Sequence, residues 1–491
     1  MIENLTIKST KRGLEKGDFS AEELFNHYHR RINEHNKNLN AYLSVFKPIT
    51  DYQLPVTSYE LSGIPCAIKD NILIEGEKCT VASKILENYT ATYDAGVITK
   101  LKQAGVSFLG KTNMDEFAMG ASGENSAFGP TKNPHDLSCV AGGSSSGSAA
   151  AVAGDLAIFA LGSDTGGSIR CPASYCGVVG LKPTYGRVSR SGVIAMASSL
   201  DQVGPITKTV EDAALVLNAI SGHDKLDATS SKKEIPNYTA GLNKPLSGLK
   251  VGIPKEFFRE GLDENVEKLV LKTIAKLESL GAHVDHVNLP HLEYGIAVYY
   301  IIVPSEVSAN LARYDGIRYP QKITNHKSPA YAEASAGRQI TKLLETYTKT
   351  RAGGFGPEVK RRIMLGTYAL SSGYYDAYYK KAQQVRTIIR RDFDNIFENF
   401  DIIVGPTMPT PAFKIGGRSE DPLAMYLSDI FTAPVNLAGL PAISIPCGLI
   451  NTDDNKKLPV GFQIIGKHFD EETLLRVGHQ LEQTGIREQE P

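Results

Sequence analysis

The chain contains no tryptophan, few cysteines and no long uninterrupted apolar run. Its 491 residues include six cysteines, none of them in a Cys-x-x-Cys pair. This spacing argues against a zinc site and is typical of the reduced thiols of cytoplasmic proteins. No stretch of about 18 apolar residues occurs, so no membrane span is expected. The first residues lack the apolar core of a signal peptide, and we expect a cytoplasmic protein.

An excess of charge of either sign is also missing. Lys and Arg total 53 against 54 Asp and Glu, a formal net charge of -1. A protein that grips RNA unaided usually has a basic patch, which these interspersed charges do not form. If an RNA is involved, another protein chain should hold it. The hydrophobic content of 42% is sufficient for a substantial core.

Two glycine-serine clusters carry the strongest chemical signal. They are Gly142–Ser148 and Gly166–Ser168, and the serines at 144 and 168 stand 24 residues apart. A serine nucleophile needs a base, usually histidine, yet no histidine lies between His135 and His223. The candidate base is therefore Lys69, at the polar end of a predicted buried strand, acting through a second serine. Burial can lower a lysine pKa enough to give a neutral amine.

The segment Thr165-Gly166-Gly167-Ser168 follows an apolar run at 156–162 that predicts a buried strand. Glycines beside a serine allow backbone N–H groups to converge on one point, as an oxyanion hole requires. A flexible linker is the alternative for such composition. The helix-like apolar stretch at 148–153 argues against a linker, but composition alone leaves both readings open.

These segments resemble the amidase signature family, whose Lys–Ser–Ser triad has these spacings, over about 63–205. A closer resemblance, to the branch formed by the A subunits of glutamyl-tRNA(Gln) amidotransferases, extends over nearly the whole chain. It is carried by 113–120, 198–205, 361–367, 371–381 and 434–441.

The resemblance implies a catalytic role for each motif residue. Ser168 would be the nucleophile, Lys69 the distal base, and Ser144 the bridging serine that follows a cis peptide. The backbone amides of Thr165, Gly166 and Gly167 would hold the oxyanion.

Three further positions match those with which the family grips free glutamine: Tyr299, Arg362 and Asp429. An amino acid needs a cation for its α-carboxylate and an anion for its α-ammonium, and the arginine and aspartate supply them. Without the resemblance, Arg362 would be read as a solvated charge in a basic run and Asp429 as a surface acid.

The sequence departs from the family pattern at three positions. Ala141 stands where proline is common, Ser146 where glycine is expected, and Cys171 where glutamine is usual. Three consecutive serines, 144–146, complicate the choice of bridging serine, and the 24-residue gap to Ser168 favours Ser144.

The implied fold is one α/β/α domain spanning 1–491, with a large mixed β-sheet covered by helices on both faces. Residues 1–60 are predicted to be helical, with a capping box at Ser20 that opens a helix. Strands are predicted at 249–253 and 282–287 around a helix capped by Asp263, an order that favours parallel pairing. Later predictions are an exposed loop at 226–247, a tyrosine-rich helix over 369–398, strands at 402–404, 443–445 and 462–465, and a helix from Asp470.

Two motifs suggest other chemistries. Residues 105–112 match the P-loop pattern, but 106–109 are predicted as the strand itself, where phosphate-binding amides would be consumed. Residues 143–147 match the nucleophile elbow, which would make Ser145 the nucleophile with His468 or His479 as base. That reading leaves the loop at 165–168 without a role.

The resemblance also implies partners. The chain would hydrolyse glutamine and pass ammonia to a B subunit, which binds the misacylated Glu-tRNA(Gln) and uses ATP and Mg²⁺, while a small C subunit completes a heterotrimer. No cofactor or metal is expected in this chain. The alternatives are a free-standing amidase and an inactive scaffold protein.

Overall fold

A computed structural model describes residues 2–47, 60–317, 319, 341–452 and 456–491. In this part of the chain eleven strands form one sheet. The strands are β1 (Tyr42–Val45), β2 (Pro65–Lys69), β3 (Ser107–Thr112), β4 (Phe159–Asp164), β5 (Val179–Lys182), β6 (Gln202–Thr207), β7 (Lys250–Pro254), β8 (His283–Val287), β9 (Ile402–Pro406), β10 (Ala442–Asn451) and β11 (Lys457–Gly466).

The sheet is mixed, as predicted. Its strand order is β1-β3-β2-β4-β6-β5-β10-β11-β9-β7-β8. β2 pairs in parallel with β3 and β4, and β7 with β8 and β9, while the remaining pairs are antiparallel. Parallel β2 and β4 end at the same edge, which brings Lys69 and the loop after Asp164 together.

Helices cover both faces of this sheet. They are α1 (Ile7–Lys16), α2 (Ala21–Leu39), α3 (Gly96–Gln103), α4 (Ser146–Ala153), α5 (Arg170–Cys176), α6 (Val210–Ile220), α7 (Glu264–Ser279), α8 (Gly295–Asn310), α9 (Thr341–Gly354), α10 (Pro357–Leu370), α11 (Lys381–Phe397), α12 (Pro422–Tyr426), α13 (Ala433–Ala438) and α14 (Glu471–Glu482).

Alternation along the strands divides the core in two. Ile402 and Val404 face a core shared with α2, α3, α6, α7 and α14. Ile403, between them, faces a second core formed with α8, α11 and α13. Successive strand residues point to opposite faces, so a strand buried on both sides must be apolar throughout. β9 fits this description: its sequence, Ile-Ile-Val-Gly-Pro, is apolar throughout, and all five residues are buried.

Several local signals predicted their elements correctly. Ser20 and Glu23 form the capping box that opens α2. Asp263 accepts hydrogen bonds from two amides at the start of α7, and the strands on either side of that helix pair in parallel. Asp470 caps the last α-helix through the Thr473 amide.

The long helical segment predicted over 369–398 is confirmed from 376 to 397 but is broken at 371–375. α10 ends at Leu370, a turn follows, and a five-residue π-helix at Asp376–Lys380 leads into α11. Gly373 has a φ of 88°, a left-handed conformation that glycine adopts freely and that ends a helix. The Ser-Ser-Gly sequence was the available signal, and the helical spacing of the tyrosines concealed it.

The predicted loop at 226–247 contains neither helix nor strand, but it is not uniformly exposed. Tyr238, Leu242 and Leu246 are buried against the core and hold the segment down. The N-terminal portion is helical through α2 and then contributes the edge strand β1. Residues 48–59 of that portion lie outside the described part of the chain.

The P-loop pattern at 105–112 belongs to β3, as predicted. Its lysine, Lys111, is fully buried, and its Nζ lies 3.2 Å from Asp70 Oδ1. One span, Leu292–Arg313, is long and apolar enough to cross a membrane, yet half of its most apolar window is buried in the protein. It contains α8, a helix of the second core.

Candidate active site

Lys69 and Ser144 are in direct contact. Lys69 Nζ donates a hydrogen bond to Ser144 Oγ at 2.7 Å. The same nitrogen lies 2.9 Å from Ser163 Oγ and 3.2 Å from the Ser163 carbonyl oxygen. Asn71 donates to Ser163 Oγ as well, at 2.9 Å, which fixes that hydroxyl beside the amine. The lysine is thus held by hydroxyl and carbonyl oxygens.

Burial sets the charge of this lysine. Lys69 is fully buried, and burial lowers its pKa to about 7, while the carboxylates of Asp115, Asp164 and Asp201 act in the opposite direction. A neutral amine is therefore accessible near neutral pH. Its lone pair can accept a proton from the hydroxyl 2.7 Å away.

Ser168 lies beside Ser144. The Ser145 amide donates to the Ser168 carbonyl at 3.0 Å, so the two serine-bearing segments run next to each other. The Gly143-Ser144 peptide bond is cis, as the resemblance implied. Among the described residues no hydrogen bond joins the two hydroxyls, and catalytic hydrogen bonds commonly tighten only when substrate is bound.

The predicted oxyanion loop shows which of its amides are available. The Gly167 amide donates to Asp164 Oδ1 at 2.9 Å, so the geometry does not offer it to an oxyanion. Within the described chain, the amides of Thr165, Gly166 and Ser168 donate to no other group. The Gly167 amide is occupied because the Asp164 carboxylate accepts hydrogen bonds from the backbone of this turn.

Asp164 and Arg170 form a buried ion pair beneath this loop, and sequence reasoning missed it. Their closest atoms lie 3.0 Å apart, and both residues are fully buried. Burial opposes ionisation of the carboxyl, but the guanidinium holds the pKa of Asp164 at about 2. Asp164 also receives hydrogen bonds from the Gly167 and Ile169 amides and from Asn436. A carboxylate and an arginine flanking the loop were the available signal, although Asn436 is 272 residues away.

Two further aspartates that the sequence did not single out support the site. Asp115 accepts the Gly123 and Asn125 amides, and burial raises its pKa to about 6. A side chain on Gly143 would overlap Asp115 Oδ2, which explains the glycine there. Asp201 accepts the Thr165 hydroxyl at 2.7 Å and so fixes the other end of the loop.

Arg362 is buried, so its interpretation as a solvated charge is wrong. It is 3% exposed, and its Nε donates to Glu358 at 2.8 Å. The guanidinium carbon lies 5.1 Å from the ring centre of Tyr300 and 5.7 Å from that of Tyr426. Its terminal nitrogens donate to no group in the described chain, which leaves them available for a carboxylate.

Asp429 and Tyr299 both contact Tyr300, the residue over whose ring Arg362 lies. Asp429 Oδ2 accepts the Tyr300 hydroxyl at 3.3 Å, and burial raises the pKa of Asp429 to about 7 against the effect of the Arg362 charge. Tyr299 covers the oxyanion loop, since a Cβ on Gly166 would come within 2.5 Å of its ring. The three predicted substrate residues therefore meet beside the loop that carries Ser168.

The three departures from the family pattern are accommodated by packing. The Cys171 thiol donates to the Ala121 carbonyl at 3.3 Å, and burial raises its pKa. Ala141 is fully buried, and Ser146 donates to the Thr131 hydroxyl at 3.0 Å. All six cysteines are buried and unpaired.

The competing site residues have structural partners. The Ser145 hydroxyl donates to the Ser163 carbonyl and accepts the Ser163 amide, and no histidine of the described chain contacts it. The Nε2 atom of His479 lies 3.3 Å from Asn243 Oδ1. Across the described residues, no group of three or more Cys, His, Asp or Glu side chains could hold a metal ion.

A buried Lys–Ser pair beside a glycine-rich serine loop on a large mixed sheet is an amidase arrangement. The sequence matches the Amidase family over residues 23–475, and the chain belongs to that family.

Within this family, the chain is similar to A subunits of glutamyl-tRNA(Gln) amidotransferases. The chain is 54% identical over 488 residues to the glutamyl-tRNA(Gln) amidotransferase A subunit of Geobacillus kaustophilus, covering 97% of each protein. The corresponding A subunit of Caldanaerobacter subterraneus is 54% identical over 487 residues, covering 98% of this chain and 96% of the relative.

Solved structures of related proteins have the same fold. The crystal structure of the glutamyl-tRNA(Gln) amidotransferase A subunit from Thermotoga maritima superposes with a TM-score of 0.81 at 42% identity, covering 97% of this chain and 94% of that one. A peptide amidase from Stenotrophomonas maltophilia gives a TM-score of 0.79 at 29% identity, covering 99% and 98%.

Proposed function

We propose that this chain is the glutamine-hydrolysing component of a tRNA-dependent amidotransferase. The observation that carries the proposal is the buried Lys69–Ser144 contact beside the loop that carries Ser168, together with Arg362 and Asp429, which both contact Tyr300. Identity above 50% to A subunits of amidotransferases, over nearly the full length of both chains, supports this assignment over that of a general amidase.

In the proposed mechanism Ser168 Oγ attacks the side-chain amide carbon of glutamine. Its proton passes to Ser144 Oγ, whose own proton passes to neutral Lys69. The amides of Thr165, Gly166 and Ser168 stabilise the oxyanion. The relay then returns the proton to the leaving nitrogen, ammonia departs, and a glutamyl ester remains on Ser168. Water, deprotonated by the same relay, cleaves the ester and releases glutamate.

Glutamine selection is assigned to the second group of residues. Arg362 would bind the α-carboxylate and Asp429 the α-ammonium, which leaves the amide directed at the nucleophile. Tyr299 would close the pocket over Gly166. An amide that lacks the α-groups would make neither of these charge-assisted contacts and would bind weakly.

The rest of the reaction is assigned to partners. We propose that B and C subunits complete a cytoplasmic heterotrimer, in which the B subunit binds Glu-tRNA(Gln) and uses ATP and Mg²⁺ with the ammonia produced here. This chain itself would need no cofactor. Its net charge of -1 is consistent with leaving the tRNA to a partner.

The test uses the assembled complex. Ser168→Ala should abolish glutamine-dependent amidation of Glu-tRNA(Gln) and leave ammonia-dependent amidation intact. An electrophilic glutamine analogue should acylate the Ser168 peptide of the wild-type chain, detected by mass spectrometry. Equal loss of both activities would contradict the assignment. Rapid turnover of small amides by the isolated chain would favour a free-standing amidase, as in the structurally similar peptide amidase.

A further inference from the structure

A cavity with a volume of about 540 Å³ is lined by none of the residues proposed to hydrolyse or bind glutamine. It lies between α11, the end of α13 and the segments around Tyr185 and Ser199. Arg386, Arg390 and His468 converge on it, and none of the described residues that line it is acidic. The proposed glutamine chemistry uses none of these side chains.

Arg386 is the fixed cation of this cavity. Its Nε donates to the Leu437 carbonyl at 2.9 Å, while Nη1 and Nη2 donate to the hydroxyl and carbonyl of Ser199 at 3.1 and 3.2 Å. A guanidinium has five N–H donors, so two remain for a ligand. Burial lowers the pKa of Arg386, with the Glu306 charge acting in the opposite direction, and a bound anion would favour its charged form.

His468 and Arg390 also have nitrogen atoms that could form hydrogen bonds to a ligand. His468 Nε2 is buried, and within the described chain it has no hydrogen-bond partner, a state that costs free energy. Arg390 has only a long, exposed contact of 3.6 Å with Asp394 among the described residues. At this end of α13 the Leu437 carbonyl accepts from Arg386 and the Gly439 carbonyl from the Tyr185 amide.

The cavity walls are joined to the nucleophile loop. Ser199 lies two residues before Asp201, which accepts the Thr165 hydroxyl. Helix α13 carries Asn436, which donates to Asp164, the carboxylate that holds the loop. A ligand that draws α11 and α13 together would thus act on both supports of Ser168.

We propose that this cavity binds a small phosphate-bearing molecule and that its occupancy changes the reactivity of Ser168. Planar guanidinium groups match the geometry of phosphate oxygens, and two arginines with a histidine N–H supply donors from several directions. The cavity lies in the size range of small-molecule sites. A free compound, rather than an RNA phosphodiester, is the source we infer, since the chain has no excess positive charge.

Calorimetric titration of the full chain with inorganic pyrophosphate tests the binding. Saturable one-to-one binding is expected, and R390Q and H468Q should each weaken it about tenfold, the effect of losing one charge-assisted hydrogen bond. R391Q is the matched control, because it removes the same charge from an exposed neighbour on the same helix and should leave affinity within about twofold.

Several outcomes would overturn the binding proposal. They are no saturable heat, equal weakening by R390Q and R391Q, or a short RNA that binds while pyrophosphate neither binds nor competes. The binding arm does not depend on glutamine hydrolysis, so it can fail or succeed independently of the proposed function.

The coupling is tested by the rate at which an electrophilic glutamine analogue labels Ser168. Saturating pyrophosphate should change that rate at least about threefold in the wild-type chain, because it acts on both supports of the loop. In R390Q the same change should require about tenfold more pyrophosphate, because that variant binds it about tenfold more weakly. An unchanged labelling rate with pyrophosphate bound would refute the coupling.

Discussion

The proposed catalytic side, Lys69, Ser144 and Ser168, and the proposed substrate side, Arg362 and Asp429, are built differently. Lys69, Ser144 and Ser168 come from strand ends and tight loops within 100 residues of sequence, and hydrogen bonds to backbone and hydroxyl groups fix them. Arg362 and Asp429 come from α10 and the turn before α13, and aromatic rings and Glu358 hold them. Rigid, local construction suits bond-making geometry, whereas the substrate side relies on the packing of helices distant in sequence.

Burial favours the neutral form of one titratable group on each side, with different consequences. It lowers the pKa of Lys69 to about 7, so that a neutral amine is accessible as a base near neutral pH. At Asp429 burial raises the pKa to about 7, so that this carboxylate gains most from an incoming ammonium. The difference predicts that damage to the catalytic side lowers kcat, and that damage to the substrate side raises KM.

The largest effect is expected for Lys69→Met, which retains the apolar stem and removes the amine. Glutamine hydrolysis should fall about 10²- to 10⁴-fold in kcat, the usual contribution of a general base, with KM little changed. Steady-state glutaminase assays measure this loss. Ammonia-dependent amidation and the thermal melting temperature serve as controls, and a kcat within about twofold of wild type would exclude the lysine from the relay.

Arg362→Gln should act on the other side. Losing a charge-assisted pair to the substrate carboxylate is expected to raise KM for glutamine about 10- to 100-fold with a smaller change in kcat. Arg361→Gln is the matched control, because that side chain is 43% exposed. Equal KM values for the two variants would show that Arg362 does not bind the substrate.

Gly366→Ala tests whether helix packing sets the substrate side. An added Cβ would overlap the Pro304 carbonyl oxygen of α8, so α10 must move, and Arg362 is one turn away on the same face. We expect KM to rise about tenfold, with some loss of melting temperature. Gly241→Ala, where no atom lies within 4 Å of the added Cβ, should be silent. An unchanged KM in Gly366→Ala would show that α8 packing does not position the arginine.

The smallest effect concerns pH. Protonation of Lys69 below its pKa of about 7 removes the base, so kcat should fall about threefold between about pH 7.5 and 6.5. Protonation of Asp429, with a pKa of about 7, also removes the ammonium partner, so kcat/KM should fall about tenfold over the same range. Stopped assays across this range measure both. Identical slopes for kcat and kcat/KM would contradict the division between the two sides.

The sequence predicted the contact between Lys69 and Ser144 but not the residues that support it. The lysine and the two serines lie in compact motifs, and the strand before each could be recognised from an apolar run. Asp164 and Arg170 were missed although they flank the loop six residues apart, because a single carboxylate and a single arginine form no recognisable motif. Asp201 was missed because its partner Thr165 is 36 residues away in the chain. The break after Leu370 was missed for a local reason, since Gly373 interrupts a pattern that otherwise continues with helical spacing.

The substrate side depended on resemblance alone. Nothing near Arg362 in the sequence indicates burial, because its neighbours at 360 and 361 are also basic. Its environment comes from Tyr300 on α8 and Tyr426 on α12, whose rings stack with centres 3.8 Å apart. Contacts between helices so far apart in sequence leave no periodic signal.

One short turn, Asp429–Thr432, joins the two sides. Asp429 faces the glutamine pocket, while the Thr432 hydroxyl donates to the Gly166 carbonyl at 2.6 Å. The Thr432 amide donates to the Asp429 carbonyl at 3.1 Å, and this hydrogen bond closes the turn. On the proposed assignment, an ammonium bound by Asp429 would act on the nucleophile loop through Thr432, which contacts Gly166. This connection would favour hydrolysis of an amide that carries an α-ammonium group over hydrolysis of simpler amides.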